Sequence, residues 1–245
     1  MFFTRNPCPS WVDHSAEYLQ KSRKYFPLIG WIVGGIGALV YSLAQWVLPS
    51  SIAVVLSMAS TVWVTGAFHE DGFADVCDGF GGGWTAEQIL TIMKDSRVGA
   101  YGVIGMSLLL VLKGLVLVEL AGLVGIYWCL ILLNGHSTSR WVASTFVQTH
   151  AYVQDPAKSK VKPVASERFS DGEMAYSALF MILPLVLLPH PLLVVALPIA
   201  YLGKGYLGRI FQKNIGGYTG DCLGATQQVA EVLFYLAILA LWKYI

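Results

Sequence analysis

Glu70, Asp71, Asp75 and Asp78 fall within nine residues of the stretch AFHEDGFADVCDGFGGGW, residues 67–84, in a chain only 13% of whose residues are charged. If residues 68–80 are helical, Asp71, Asp75 and Asp78 stand at i, i+4 and i+7, on one face. Like charges at that spacing repel, by about a few tenths of a kcal/mol per exposed pair and by more near a bilayer. No Lys or Arg is interleaved between 68 and 80 to offset the repulsion, which argues against a merely solvated helix cap. The intervening residues (Gly72, Phe73, Ala74, Val76, Cys77, Gly79) are small or apolar and let a ligand approach the backbone closely. Carboxylate oxygens presented this way suit Mg2+, which keeps several waters and completes its shell from substrate phosphates. Glu70, Asp71, Asp75 and Asp78 are the candidate metal ligands.

Three further polar clusters point to a phosphate-bearing substrate. Lys94, Asp95, Ser96 and Arg97 stand immediately before Gly99. Arg97 beside Asp95 is the better phosphate binder, because a guanidinium takes two phosphate oxygens at once, and Lys94 is the second candidate. IGGYTGDCLGATQQ, 215–228, has the composition of a phosphate cradle before a helix, with Gly217, Thr219, Gly220 and Asp221 as the candidate contacts. VQDPAKSKVKPVA, 153–165, carries three lysines at alternating positions, suited to membrane anchoring or to steering an anion. Thr85-Ala86-Glu87-Gln88 reads as a helix start, with Thr85 as N-cap and Gln88 at N3.

The elements that must position these residues are apolar. Of the 245 residues, 56% are hydrophobic, and the mean hydropathy is +0.60, which identifies an all-α, polytopic membrane helix bundle made as one catalytic domain, residues 1–245. Apolar spans are predicted at 28–48, 52–68, 101–120, 123–147, 173–188, 191–207 and 229–242. That makes about seven, or six if 173–207, interrupted by Pro184, Pro189, Pro191 and Pro198, is partly re-entrant. Basic residues occupy alternate connections: Arg5, Lys21, Arg23 and Lys24; then Lys94 and Arg97; then Lys158, Lys160, Lys162 and Arg168; then Lys204, Arg209 and Lys213. The connections between them have none, so the N-terminus and every polar, glycine-rich loop are expected on the cytoplasmic side.

Within the spans, Lys113, Asn134, His136 and Arg140 should face the bundle interior or an aqueous cavity, with Arg140 at the floor of a cytoplasmic cavity and so a candidate substrate contact. Glu119 and Glu231 lie near span ends and are expected to reach the interface. The GGIG at 34–37 reads as a helix-packing surface rather than a nucleotide loop. A net charge of +1 supplies no broad basic face for nucleic acid. Cys8, Cys77, Cys129 and Cys222 form no CxxC pair and read as small apolar residues rather than a zinc site or disulfide framework. MFFTRNPCPSW lacks the apolar core of a signal peptide, leaving interior spans to direct insertion.

FFTRNPCP, YFPLIG at 25–30, FHEDGFADVCDG at 68–79, IMKDSRVGAYG at 92–102 and GGYTGDCLGA at 216–225 together resemble the cobalamin synthase family, the adenosylcobinamide-GDP ribazoletransferases. The blocks run in family order over nearly the whole chain. The sequence opens directly on the FFTR block, before which family members usually carry one more apolar segment. The resemblance implies transfer of the adenosylcobinamide-phosphate unit of adenosylcobinamide-GDP to the ribose hydroxyl of α-ribazole, or of its 5′-phosphate. GMP leaves, and adenosylcobalamin or its 5′-phosphate forms. It also implies Mg2+ and the prokaryotic cytoplasmic (inner) membrane. Homo-oligomerisation, or a complex with other late cobalamin-pathway enzymes, stays open. In these terms Glu70, Asp71, Asp75 and Asp78 hold one or two Mg2+ on the pyrophosphate, and one carboxylate of the cluster or Asp95 accepts the attacking hydroxyl proton. Lys94 and Arg97 pair with phosphate oxygens, and the 216–224 loop, with Asp221, holds nucleotide or ribazole. Two other classes share part of this pattern. Asp75-Val-Cys-Asp78-Gly79 echoes the CDP-alcohol phosphotransferases, but Gly82-Gly83 replaces their Ala-Arg pair and their later Gly-x3-Asp-x3-Asp does not appear. A cation-coupled transporter would use Lys113, His136 and Arg140 along a pathway, and predicts repeats that the sequence does not show.

Overall fold

The computed structural model describes residue 4, residues 16–153 and residues 168–245. The apolar runs form helices, and glycine, proline and capping side chains set their ends. In chain order these are α1 (Ala16–Ser22), a 3-10 turn (Arg23–Tyr25), α2 (Phe26–Ala44), α3 (Ser50–Thr65), α4 (Phe68–Gly82), α5 (Ala86–Ile92) and α6 (Ala100–Leu123). There follow α7 (Tyr127–Ser144), α8 (Phe146–Thr149), α9 (Asp171–Val186), a second 3-10 turn (Pro191–Val195), α10 (Ala196–Ile215) and α11 (Gly220–Trp242). Among the described residues there is no β-strand, only an isolated bridge between Tyr152 and Tyr218. The all-α bundle expected from the sequence is therefore observed.

Local chemistry accounts for the boundaries that matter to function. Gly66, at φ 68°, and Ala67, at φ 58°, end α3 in the left-handed region, and α4 leaves at 89° to it. The predicted span 52–68 thus stops short at Thr65, and the acidic stretch becomes a separate helix. The expected helix start at Thr85 is a full capping box: its hydroxyl accepts from the Gln88 amide, and the Gln88 side chain accepts from the Thr85 amide. Ser170 and Glu173 build a second one at the start of α9. The proline-rich stretch forms two helices, α9 and the 3-10 turn with α10, and α9 runs through Pro184 before ending.

Two apolar clusters divide the bundle. The larger joins Tyr41, Ala53, Leu117, Trp128, Leu193 and Phe234, among others, through the body of the molecule. The smaller gathers Val76, Ile89, Met93, Phe146, Phe211, Ile215, Tyr218 and Cys222 at one end, where α4, α5, α8 and the α10–α11 junction meet. Small residues close the helix pairs: a Cβ at Gly30 would lie 2.6 Å from the His136 carbonyl oxygen, and one at Gly34 2.7 Å from Leu133 Cα. Gly34 and Gly37 thus serve the packing role expected of GGIG, while Gly35 faces open space. Among the described residues, four helical segments are long and apolar enough to cross a membrane: Gln20–Ala44, Ala100–Leu123, Pro191–Ile215 and Gly220–Trp242, with α3 and α4 a fifth if that bent pair is one span. The expected seven are not all of that kind. α3 and α9 have only 16 residues each, and α7 carries Asn134, His136, Ser137, Thr138, Ser139 and Arg140, all buried. Cys77, Cys129 and Cys222 are free thiols; Cys8 and Lys158, Lys160 and Lys162 lie outside the described residues.

Candidate active site

α4 crosses the first turns of α6 and α11, and glycine makes both crossings possible. A Cβ on Gly72 would lie 3.0 Å from Asp221 Cα and from its carbonyl oxygen. Asp78 is buried, with Oδ2 accepting from the Gly99 amide at 2.7 Å and Oδ1 from the Gly102 amide at 2.8 Å. Those amides belong to the exposed donors at the start of α6, so Asp78 serves as the N-terminal cap that α6 lacks in its own sequence. Asp71 is exposed and Asp75 half-buried on the same helix. Asp221, in the first turn of α11, is close enough to raise the Asp75 pKa. Burial first, then the charges of Asp221, Asp71 and Asp78, push Asp75 up to about 7. The repulsion inferred from spacing thus falls chiefly on Asp75, with a partner from a second helix.

The basic residues sit at the rim. Lys94 is exposed and acts electrostatically on Asp221. Arg97 is exposed and gives its guanidinium to Asp95, Nη2 to Oδ2 at 2.6 Å and Nε to Oδ1 at 3.0 Å. That fork holds Asp95 down to about 2. The 216–220 stretch is tightly packed. Gly216, at φ 76°, ends α10, and a Cβ on Gly217 would strike the Ala151 carbonyl oxygen. The Tyr218 amide donates to Ala151 at 2.9 Å, and the buried Thr219 hydroxyl caps α11 by accepting from the Cys222 amide at 3.3 Å. Gly217 and Thr219 therefore fix the start of α11, at which Gly220 and Asp221 lie. A groove of about 300 Å³ opens beside α4, lined by Glu70, Asp71, Ala74, Val98, Gly102 and Met106 among others.

Glu70 is tied to α11. Its Oε1 accepts from Gln228 Nε2 at 2.8 Å. Gln228 also donates to Gln227, which donates to Glu231 at 2.7 Å and Ser139 at 2.9 Å. Glu231, expected at the interface, is instead fully buried. It pairs with Lys113 at 2.5 Å and accepts from Tyr235 at 3.2 Å, and His136 Nδ1 lies 3.4 Å from it. The reason is that α11 begins at Gly220, so position 231 is its midpoint rather than an end. Arg140, also buried, donates to the His136 carbonyl at 2.9 Å and stands against Phe26. Lys113, Asn134, His136 and Arg140 all face the interior as expected. His69, buried and close to Arg140, is held neutral by burial and then by that charge. Gln227, Gln228 and His69 went unremarked in the sequence; the only signal was the TQQ closing the 215–228 cluster.

The donor set fits Mg2+. Asp71 and Asp75 on α4 and Asp221 on α11 offer hard carboxylate oxygens, the donor type that would suit such an ion. Among the described residues no three such side chains form a preassembled metal cage, consistent with an ion held by one or two carboxylates and completed by substrate phosphates.

Known proteins are similar to this chain along nearly its whole length. A model of the cobalamin-5-phosphate synthase family matches residues 1–239. The adenosylcobinamide-GDP ribazoletransferase of Shewanella frigidimarina is 48% identical over 241 residues, 98% of this chain and 91% of the relative. Its namesake in Shewanella pealeana is 46% identical over 241 residues, covering 98% and 92%, and that of Ralstonia nicotianae 42% over 240 residues, again 98% and 92%. No solved structure matches the fold. With the blocks at 68–79, 92–102 and 216–225 meeting around one crossing of α4, α6 and α11, and the match running almost end to end, the chain belongs to the cobalamin-5-phosphate synthase family.

Proposed function

We propose that this protein transfers the adenosylcobinamide-phosphate unit of adenosylcobinamide-GDP to the ribose hydroxyl of α-ribazole, or of its 5′-phosphate. The ribose oxygen forms a new bond to the cobinamide-bearing phosphorus, the bridging P–O bond breaks, and GMP leaves. The observation that carries this reading is the approach of Asp75 to Asp71 and Asp221 across the α4–α11 crossing, with the Asp75 carboxyl raised to about 7. Asp71 and Asp221 would hold Mg2+, which when bound would neutralise charge on the pyrophosphate. Asp75 is placed to take the proton of the attacking hydroxyl, because a base near neutrality can both accept and release it. Lys94 and Arg97 supply positive charge at the rim, Arg97 by exchanging Asp95 for phosphate oxygens. Gly220 and Asp221, at the start of α11, offer a helix N-terminus to phosphate. Asp78 supports the site by fixing α6 against α4. The site end of the bundle faces the cytoplasm of a prokaryotic inner membrane, where the water-soluble nucleotide substrate can reach it.

The test is protein purified into lipid vesicles with adenosylcobinamide-GDP, α-ribazole and Mg2+, following GMP and corrinoid product together. Equal release of both, halted by a chelator, is expected. Asp71→Asn should abolish turnover while leaving membrane insertion intact; near-normal product formation by that variant would remove the metal assignment.

A further inference from the structure

Lys113, Glu231, Gln227, Gln228 and Glu70 form one unbroken chain of polar contacts through α6, α11 and α4. It starts at the ion pair of Lys113 and Glu231, whose side chains are 3% and 0% exposed. It passes from Glu231 to Gln227 at 2.7 Å, from Gln227 to Gln228 at 3.0 Å, and from Gln228 to Glu70 Oε1 at 2.8 Å. Glu70 Oε2 is buried with no partner, so among the described residues Gln228 supplies the one hydrogen bond its carboxylate receives. Glu70 precedes Asp71 and lies five residues before Asp75. α4 begins at the left-handed Ala67, and no side chain caps that end. The rotation of its first turn is therefore held by what grips Glu70, by the buried His69 against Phe26 and Gly224, and by Gly72 seated on Asp221.

We propose that Gln228, held by Gln227 and the buried Lys113–Glu231 pair, is a positioning residue for the acidic helix. By fixing Glu70 it keeps Asp71 and Asp75 turned toward Asp221. Glu70 on this account is an anchor, not a metal ligand. Without the Gln228 amide, a half-buried carboxylate loses its hydrogen bond, and the first turn of α4 relaxes toward solvent, carrying Asp71 with it. The proposal rests on the carboxylate-and-Mg2+ reading given above.

The experiment is turnover in lipid vesicles across a Mg2+ titration, with melting temperature measured in parallel. Gln228→Met keeps the side-chain length and removes the donor. It should lower kcat about 10-fold and raise the Mg2+ concentration for half-maximal rate by a similar factor, as loss of an orienting partner does elsewhere. KM for α-ribazole should stay near wild type, and the melting temperature should fall only modestly, as one hydrogen bond to a half-buried carboxylate is lost. Adding Gln228→Met to Glu70→Gln should cost little beyond Glu70→Gln alone, because the two act through one contact. The pair Lys113→Met with Glu231→Leu removes the buried charges together, a change the fold tolerates better than losing one, and should reproduce the Mg2+ shift. Unchanged kcat and Mg2+ half-saturation in Gln228→Met overturn the proposal. A loss that follows a lowered melting temperature, with Mg2+ half-saturation unchanged, also overturns it. Asp75→Asn run alongside tests the parent reading: wild-type turnover there removes the reading itself, independently of Gln228.

Discussion

Asp75 is the residue whose ionisation the site controls. Its pKa rises from 3.8 to about 7, first by burial and then by the neighbouring Asp221, Asp71 and Asp78 charges. The folded protein therefore holds this proton more tightly than the unfolded chain does, so the charged carboxylate disfavours the fold. That penalty is absent below about pH 4, grows as pH rises, and is complete above about pH 7. A cation placed between the carboxylates relieves it. Mg2+ binding should then release a proton and strengthen as the pH rises through about 7. The increase in melting temperature produced by saturating Mg2+ should grow between about pH 6 and pH 8 in wild type and stay flat in Asp75→Asn. A wild-type increase that is itself independent of pH would show that Asp75 does not face the ion. The spacing of Asp71, Asp75 and Asp78 was legible in the sequence, and so was their repulsion. Their division of labour was not, because Asp78 caps a helix beginning 21 residues later and the Asp221 that acts on Asp75 arrives from α11.

At the scale of elements, the site is a crossing of three helices whose ends are tied by side chains. α6 begins at Gly99 and has no hydroxyl or carboxylate of its own at the N-cap; the Asp78 carboxylate takes that place from α4. Asp78→Ala should cost about 1–3 kcal/mol, since two amide donors at the α6 start lose their acceptor. Thermal unfolding in lipid would register this as a fall in melting temperature, while Asp71→Ala, whose carboxylate is exposed, should leave the melting temperature nearly unchanged. Equal falls in both variants would mean that Asp78 has no special structural share. Sequence patterns located such local devices well where donor and acceptor are neighbours, as at Thr85 and Gln88. They missed the break between α3 and α4. A glycine at position 66 is an ordinary helix terminator, but Ala67 at φ 58° is a conformation an L-residue adopts only where the surroundings impose it. Glu231 was misplaced for a related reason: hydropathy started the last span at 229, whereas Thr219 caps α11 and starts it at Gly220.

At the scale of the whole molecule, the described part of the bundle brings the start of α2, the end of α7, the end of α10 and the start of α11 to one end. Tyr41 stacks on Trp128 while Gly30 meets His136, so α2 and α7 run antiparallel. α10 ends and α11 begins within the smaller apolar cluster together with α4 and α5. What hydropathy does not recover is which helices face lipid. α7 buries Asn134, His136 and Arg140 against its neighbours, so its polarity is a property of the interior rather than of exposure to water. Among the described residues, length and apolarity alone therefore count four crossings, or five, whereas the sequence layout expects about seven, or six if 173–207 is partly re-entrant. Trp84, 93% exposed beside α4, and Ile126, 88% exposed in the α6–α7 turn, lie at opposite ends of α6. In a background without the four native cysteines, a membrane-impermeant maleimide should label Trp84→Cys in inverted vesicles and Ile126→Cys only in spheroplasts. A cysteine added after Ile245 should label with Ile126→Cys, since an odd number of crossings leaves the two chain ends on opposite sides. Labelling of Trp84→Cys in spheroplasts would reverse the orientation. If the added terminal cysteine instead labels with Trp84→Cys, the number of crossings is even, and one of the short or polar helices, α3, α7 or α9, does not cross.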